Sequence, residues 1–181
     1  MAVGLGQRFE LGRYGPFTLT TAWPEPDAET RATVRAFWQT HGIIADDHDE
    51  MAQRRSKQVL VMAEETASGQ LAGLSTAIQT PVESLGFPCF YYRTFVAPKH
   101  RTSWVLSKEI FMHSYHVLND RFREGHDPDV LGLLLEVQNE SLQRHLRYAV
   151  WALDGMNVVY IGKDHRGVHR RVWYFDGALI P

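Results

Sequence analysis

Three groups of residues have types and spacing that could do chemistry. Lys99, His100 and Arg101 follow Pro98 directly and precede a stretch of helical periodicity. Amides at a helix start have no intrahelical partner and the dipole is positive there, so this junction suits an anionic group such as phosphate. Glu136 sits in the nearly continuous apolar run from Leu131 to Gln138. A carboxylate in such a run must be paired, hydrated or protonated. It is either a structural partner of Arg93 on the preceding strand or a base that removes a proton, directly or through water. Glu109, His113, His116 and Asp120 lie at offsets of four, three and four. That is a metal-ligand spacing on a helix. Their face is opposite the apolar stripe, however, so it reads as a solvated polar face and no metal is expected.

The elements that must position these residues follow from periodicity. Cys89 to Val96 is aromatic and β-branched, hence a strand that Pro98 stops. Leu106, Ile110, Tyr115, Leu118 and Phe122 then recur at helical spacing, with Thr102 or Ser103 at the N-cap position and a break at Gly125–Pro128. Upstream, residues 1–16 read as an irregular, glycine-rich lead-in and Phe17–Trp23 as a strand. Asp27 caps a helix that presents Val34, Phe37 and Trp38 and ends at His41–Gly42. A second helix begins near Asp46 or Asp47, with Glu50 at capping-box spacing, and runs to about Lys57. Val59–Ala63 and Leu71–Thr80 form a hairpin around Ala67–Gly69, and Pro81–Pro88 is a loop. Downstream, Leu131–Gln138 is a strand covered on both faces. Asn139 caps a helix to about Val150, and Met156–Ile161 and Val168–Phe175 are strands. The total is about seven strands and about four helices in one α/β (α+β) domain.

Composition narrows the function classes. The 181 residues are 44% hydrophobic and 22% charged, with a formal charge of −2. That fits one folded domain and gives no basic field for nucleic acid. The cluster Arg166, His169, Arg170 and Arg171 lacks interleaved aromatics and reads as solvated. Cys89 is alone, which excludes an intrachain disulfide. No run is long enough to span a membrane and no signal peptide is apparent, so the expected location is the cytoplasm. Val172–Phe175 reads as an apolar edge strand, which invites a homodimer through the C-terminal strands.

The segment Val96-Ala97-Pro98-Lys99-His100-Arg101 resembles the acyl-CoA loop of the GCN5-related N-acetyltransferase (GNAT) superfamily, where Val-x-Pro-x-x-Arg leads into a pyrophosphate-binding turn and a long helix. The element order matches that fold over nearly the whole chain. The family pattern has small residues three and five positions after the Arg; here Trp104 and Leu106 stand there. The resemblance implies a GNAT-like mixed sheet and an acetyl-CoA-dependent N-acetyltransferase acting on a small-molecule or peptide amine. It implies a pyrophosphate held at Arg101, Thr102, Ser103 and Trp104 and a thioester aligned by the Phe95 and Val96 backbone; in such an enzyme Glu136, read above as a pair or a base, is the candidate catalytic residue. Asn139 is then a contact for the pantetheine arm or an ordered water, or else a plain N-cap. The family's Tyr acid, seven residues after that Asn, falls on Leu146, and Tyr148 reads as packing with its hydroxyl at the surface. A second reading, favoured by Trp104 and Leu106, is a GNAT-like binding or assembly module that has lost the cofactor.

Overall fold

The computed structural model describes residues 8–44, 49–101, 104–145, 147–152 and 154–181. Among them, nine strands form one sheet in the order β1-β2-β3-β4-β5-β6-β9-β8-β7, accompanied by four α-helices. The chain divides into two compact units, residues 1–77 with 94–114 and residues 78–93 with 115–181. Three elements contribute part of their length to each unit: β4 (Leu71–Val82), β5 (Phe87–Val96) and α3 (Val105–Arg123).

The first unit begins with β1 (Phe9–Tyr14), antiparallel to β2 (Phe17–Thr21), which pairs in turn with β3 (Val59–Glu65). The lead-in is therefore not irregular as far as Phe9–Tyr14 is concerned. Gly12 and Gly15 hid this strand, because Gly12 lies just past a bulge at Glu10 and Gly15 makes the turn at φ +52°. Helix α1 (Ala28–Thr40) starts as expected, with the Asp27 carboxylate accepting from the Thr30 amide at 2.7 Å. Val34, Phe37 and Trp38 turn inward and pack with Val59, Met62 and Leu74. Helix α2 (Asp49–Ser56) follows; the start expected at Asp46 or Asp47 lies outside the described residues.

In the second unit, the connection expected as a Pro81–Pro88 loop is a tight hairpin. β4 runs to Val82, where its carbonyl accepts from the Leu85 and Gly86 amides, and β5 resumes at Phe87. β6 (Gly132–Val137) runs parallel to β5, pairing Phe90–Tyr92 with Leu133–Leu135. On its other side it is antiparallel to β9 (His169–Tyr174) over its whole length. Gly132 makes that close approach possible: a Cβ there would stand 2.7 Å from the Trp173 carbonyl oxygen. β8 (Val158–Lys163) and the two-residue β7 (Val150–Trp151) complete the order. β9 therefore lies between β6 and β8, and Val172–Phe175 is not an edge. An apolar strand flanked on both sides is what buries Val172 and Trp173. Trp173 stacks on Tyr115 of α3, ring centroids 3.6 Å apart. Helix α4 (Glu140–His145) is six residues, shorter than the expected helix to Val150.

Candidate functional site

The first unit carries the basic loop. After β5, Pro98–His100 forms a single 3₁₀ turn, because proline fixes φ and withholds an amide. The Arg101 Nε then donates to the Val96 carbonyl at 2.7 Å, and its guanidinium lies 4.6 Å over the Phe95 ring. This fixes the guanidinium against the end of the strand, and no described residue partners Nη1 or Nη2. Phe95 is braced in turn by Phe37 and His41 at 5.7 and 5.9 Å. Of the Val96 backbone, expected with that of Phe95 to align a thioester, the carbonyl is occupied by Arg101. Thr102 and Ser103 lie outside the described residues. Trp104 precedes α3 and is 48% exposed. Lys108 lies 5.4 Å above it. Leu106, the other bulky substitution, faces the core at 4% exposure.

Sequence reasoning missed what holds the other two basic residues. Lys99 Nζ bonds Glu65 Oε1 at 2.7 Å, and His100 Nε2 lies 3.0 Å from the same oxygen, within ion-pair reach but outside hydrogen-bond geometry. Ser68 takes the other carboxylate oxygen at 2.8 Å. The bonds from Lys99 and Ser68 hold the Glu65 carboxyl down at about 2, outweighing a small opposing effect of burial. Glu65 ends β3, whose hairpin turn supplies Ser68. No spacing in the sequence links it to Lys99, which is why the pair could not be read there.

The second unit carries Glu136, near the end of β6. Tyr91 Oη donates to its Oε2 at 2.8 Å, and Arg166 Nη2 donates to the same oxygen at 2.7 Å. The expected pair with Arg93 is not made. The Arg93 guanidinium instead lies 4.7 Å over the Tyr91 ring, a cation–π site. The β8–β9 turn aims Arg166. Asp164 accepts from the Arg166 and Val168 amides at 2.8 Å and from Arg166 Nε at 2.7 Å, and Gly167 supplies the positive φ of +80°. Burial raises the Asp164 carboxyl, but these donors outweigh it and the net displacement is downward. Glu136 Oε1 has no bond to any described residue. The arrangement can hold an ionised carboxylate by one oxygen and offer the other to a proton donor.

Asn139 acts as the N-cap of α4: its Oδ1 accepts from the Leu142 amide at 3.1 Å, and its carbonyl accepts from Gln143. Leu146 lies outside the described residues. Tyr148 is 72% exposed and does not pack against the core as expected. Of the local basic cluster read as solvated, Arg171 is buried at 2% exposure, with Nη2 on the Tyr148 carbonyl. Among the described residues no three His, Cys, Asp or Glu side chains converge as metal ligands.

No family model matches the sequence, and no curated protein matches it. Solved structures do match. The ribosomal-protein-S5-alanine acetyltransferase of Vibrio fischeri aligns at TM-score 0.52 and 10% identity, covering 93% of this chain and 98% of its own. A GNAT-family protein of Desulfovibrio desulfuricans aligns at TM-score 0.50 and 17% identity, covering 88% and 98%. The toxin AtaT, in a variant bound to acetyl-CoA and to the C-terminus of the antitoxin AtaR, aligns at 0.50 and 11%, covering 88% and 94%. At these identities the likeness is one of fold, and the fold is that of the GNAT acetyltransferases.

Proposed function

We propose that this chain, built on the GNAT fold, is an N-acetyltransferase that uses acetyl-CoA to acylate a small-molecule or peptide amine in the cytoplasm. The observation that carries this reading is the loop after β5. Val96, Pro98 and Arg101 keep their spacing, and the Arg101 guanidinium is fixed by the Val96 carbonyl and the Phe95 ring. Arg101 would hold the pyrophosphate, with Trp104, Thr102, Ser103 and the first amides of α3 beside it. Phe95 and Val96 would line the path of the thioester arm, and Asn139 would contact that arm through whatever its capping bond leaves open. Acetyl-CoA, when bound, would supply the acyl group: the amine nitrogen would bond to the carbonyl carbon, the C–S bond would break, and the sulfur would leave as the thiolate, which takes its proton from solvent. Glu136 takes the proton that the amine gives up, with Oε2 held by Tyr91 and Arg166 and Oε1 facing the acceptor.

A peptide acceptor has a precedent in shape: AtaT, of the same fold, was captured with a peptide segment of its antitoxin. A homodimer, if formed by strand pairing, would have to use β1 or β7, since the inner position of β9 rules it out.

The rival reading, a binding module without cofactor, is favoured by Glu65, which engages both Lys99 and His100 of the loop. Calorimetric titration with acetyl-CoA separates the two. The transferase reading expects saturable binding that Arg101→Glu abolishes, and an absence of heat in the wild type would leave only the module.

A further inference from the structure

Glu136 and Arg170 are direct cross-strand partners in the β6–β9 register, so their side chains leave the same face of the sheet. Directly opposed residues on an antiparallel pair have Cβ atoms about 5 Å apart, close enough for an ordinary ion pair. That ion pair is not made. Glu136 is satisfied at Oε2 by Tyr91 and Arg166, and Arg170 Nε is buried with no hydrogen-bond partner among the described residues. Buried polar atoms in folded chains are nearly always paired, so a guanidinium left open beside a carboxylate oxygen left open needs an explanation. The charges point the same way. Arg166 pairs with both Glu136 and Asp164, and Arg93 lies over the ring of Tyr91, whose hydroxyl bonds Glu136.

We propose that Arg170 is the specificity-determining residue for the acceptor, recognising a carboxylate on the same small molecule whose amine meets Glu136 Oε1. The preferred acceptor is then a short amino acid, its amine and carboxylate separated by no more than a few atoms. A planar guanidinium binds a carboxylate through two parallel N–H···O bonds, which no lysine reproduces. Arg93, 4.7 Å over the Tyr91 ring, adds positive potential on the same side without pairing with Glu136. This inference rests on the transferase reading for its catalytic consequence but not for its binding consequence.

The test uses matched acceptors: free amino acids, their methyl esters and their decarboxylated amines, assayed for thiol release from acetyl-CoA. The acid should exceed its two counterparts in kcat/KM by about tenfold to a hundredfold, the scale of hydrogen bonds to a charged group. Arg170→Met should cut the acid's kcat/KM far more than the amine's, bringing the ratio toward one. Arg170→Lys, which keeps the charge and guards against a folding defect, should retain only part of the preference. A wild-type ratio at or below one, or a ratio that survives Arg170→Met, overturns the proposal and leaves acetyl transfer standing. Ligand-observed NMR of the free amino acids with the chain alone needs no acetyl-CoA. Binding seen in the wild type and lost in Arg170→Met supports the carboxylate site even if acetyl-CoA never binds. If no free amino acid binds the wild type, the proposal fails.

Discussion

Glu65, in the first unit, gives both carboxylate oxygens to the protein, Oε1 to Lys99 and His100 and Oε2 to Ser68. Glu136, in the second unit, gives only Oε2, to Tyr91 and Arg166. Each acid sits at a strand end beside two or more basic side chains, so charge alone does not tell them apart. The difference is in the unspent lone pairs. A carboxylate with both oxygens occupied braces the segments that occupy them. One held rigidly by a single oxygen has a defined orientation and a free acceptor, which is what a general base needs. The open lone pairs of Oε1, and not the neighbouring charge, are what suit Glu136 to the role of base proposed for it.

The same substitution at both positions breaks or sharpens this contrast. Glu136→Gln removes the proton acceptor while keeping shape and the Tyr91 contact, so kcat should fall by roughly 10²–10⁴-fold. Acetyl-CoA affinity, read by calorimetry, should stay within about twofold, since the change is made at a group assigned to the acceptor. Full kcat in this variant would remove Glu136 from the mechanism and erase the distinction from Glu65. Arg166→Ala is the next largest effect. It strips one of the two donors from Oε2 and leaves Glu136 less well oriented. Because Arg166 is itself half exposed, the loss should be about tenfold in kcat/KM, the lower end for a hydrogen bond to a charged group. Arg166→Lys should recover part of it. Equal losses in Arg166→Ala and Glu136→Gln would make Arg166 more than a positioning residue.

Most of the architecture was legible because it depends on periodicity. The α3 stripe of Leu106, Ile110, Tyr115 and Leu118, the Asp27 cap and the apolar β6 run all fell where their patterns put them. The failures have local causes. β1 was hidden because two glycines at a bulge and a turn erase alternation. β7 has two residues and no period at all. Val172–Phe175 reads as an edge because an apolar run reports burial but not neighbours, and only the pairing of β6 with β9 and β9 with β8 decides that. In the site, Glu136 stood out as a charge in an apolar run, but its partners did not. Tyr91 lies 45 residues away and Arg166 30 residues away, each brought in by strand register. The one available signal for Arg166 was the turn itself, where an Asp two residues ahead of a basic residue and three ahead of Gly167 is typical of a side chain bonding its own backbone.

The smallest expected effect concerns Glu65 and runs through acid stability. Its carboxyl ionises at about 2 in the folded chain, against an ordinary value of 4.5, chiefly because Lys99 bonds the ionised form. A depressed carboxyl contributes stability that is fully present above the ordinary value and is lost as pH falls toward the folded one. Wild type and Glu65→Gln should therefore differ most in Tm near neutral pH, with the wild type higher. The gap should begin to close below about pH 5 and vanish near pH 2. Lys99 is exposed, so the gap should also narrow in about 1 M salt, where charges are screened within a few ångströms. A Tm difference that is constant across this range and indifferent to salt would show that the charge on Glu65 contributes nothing to stability. Glu65 would then brace the loop by shape alone, and its contrast with Glu136 would lie in position and not in ionisation.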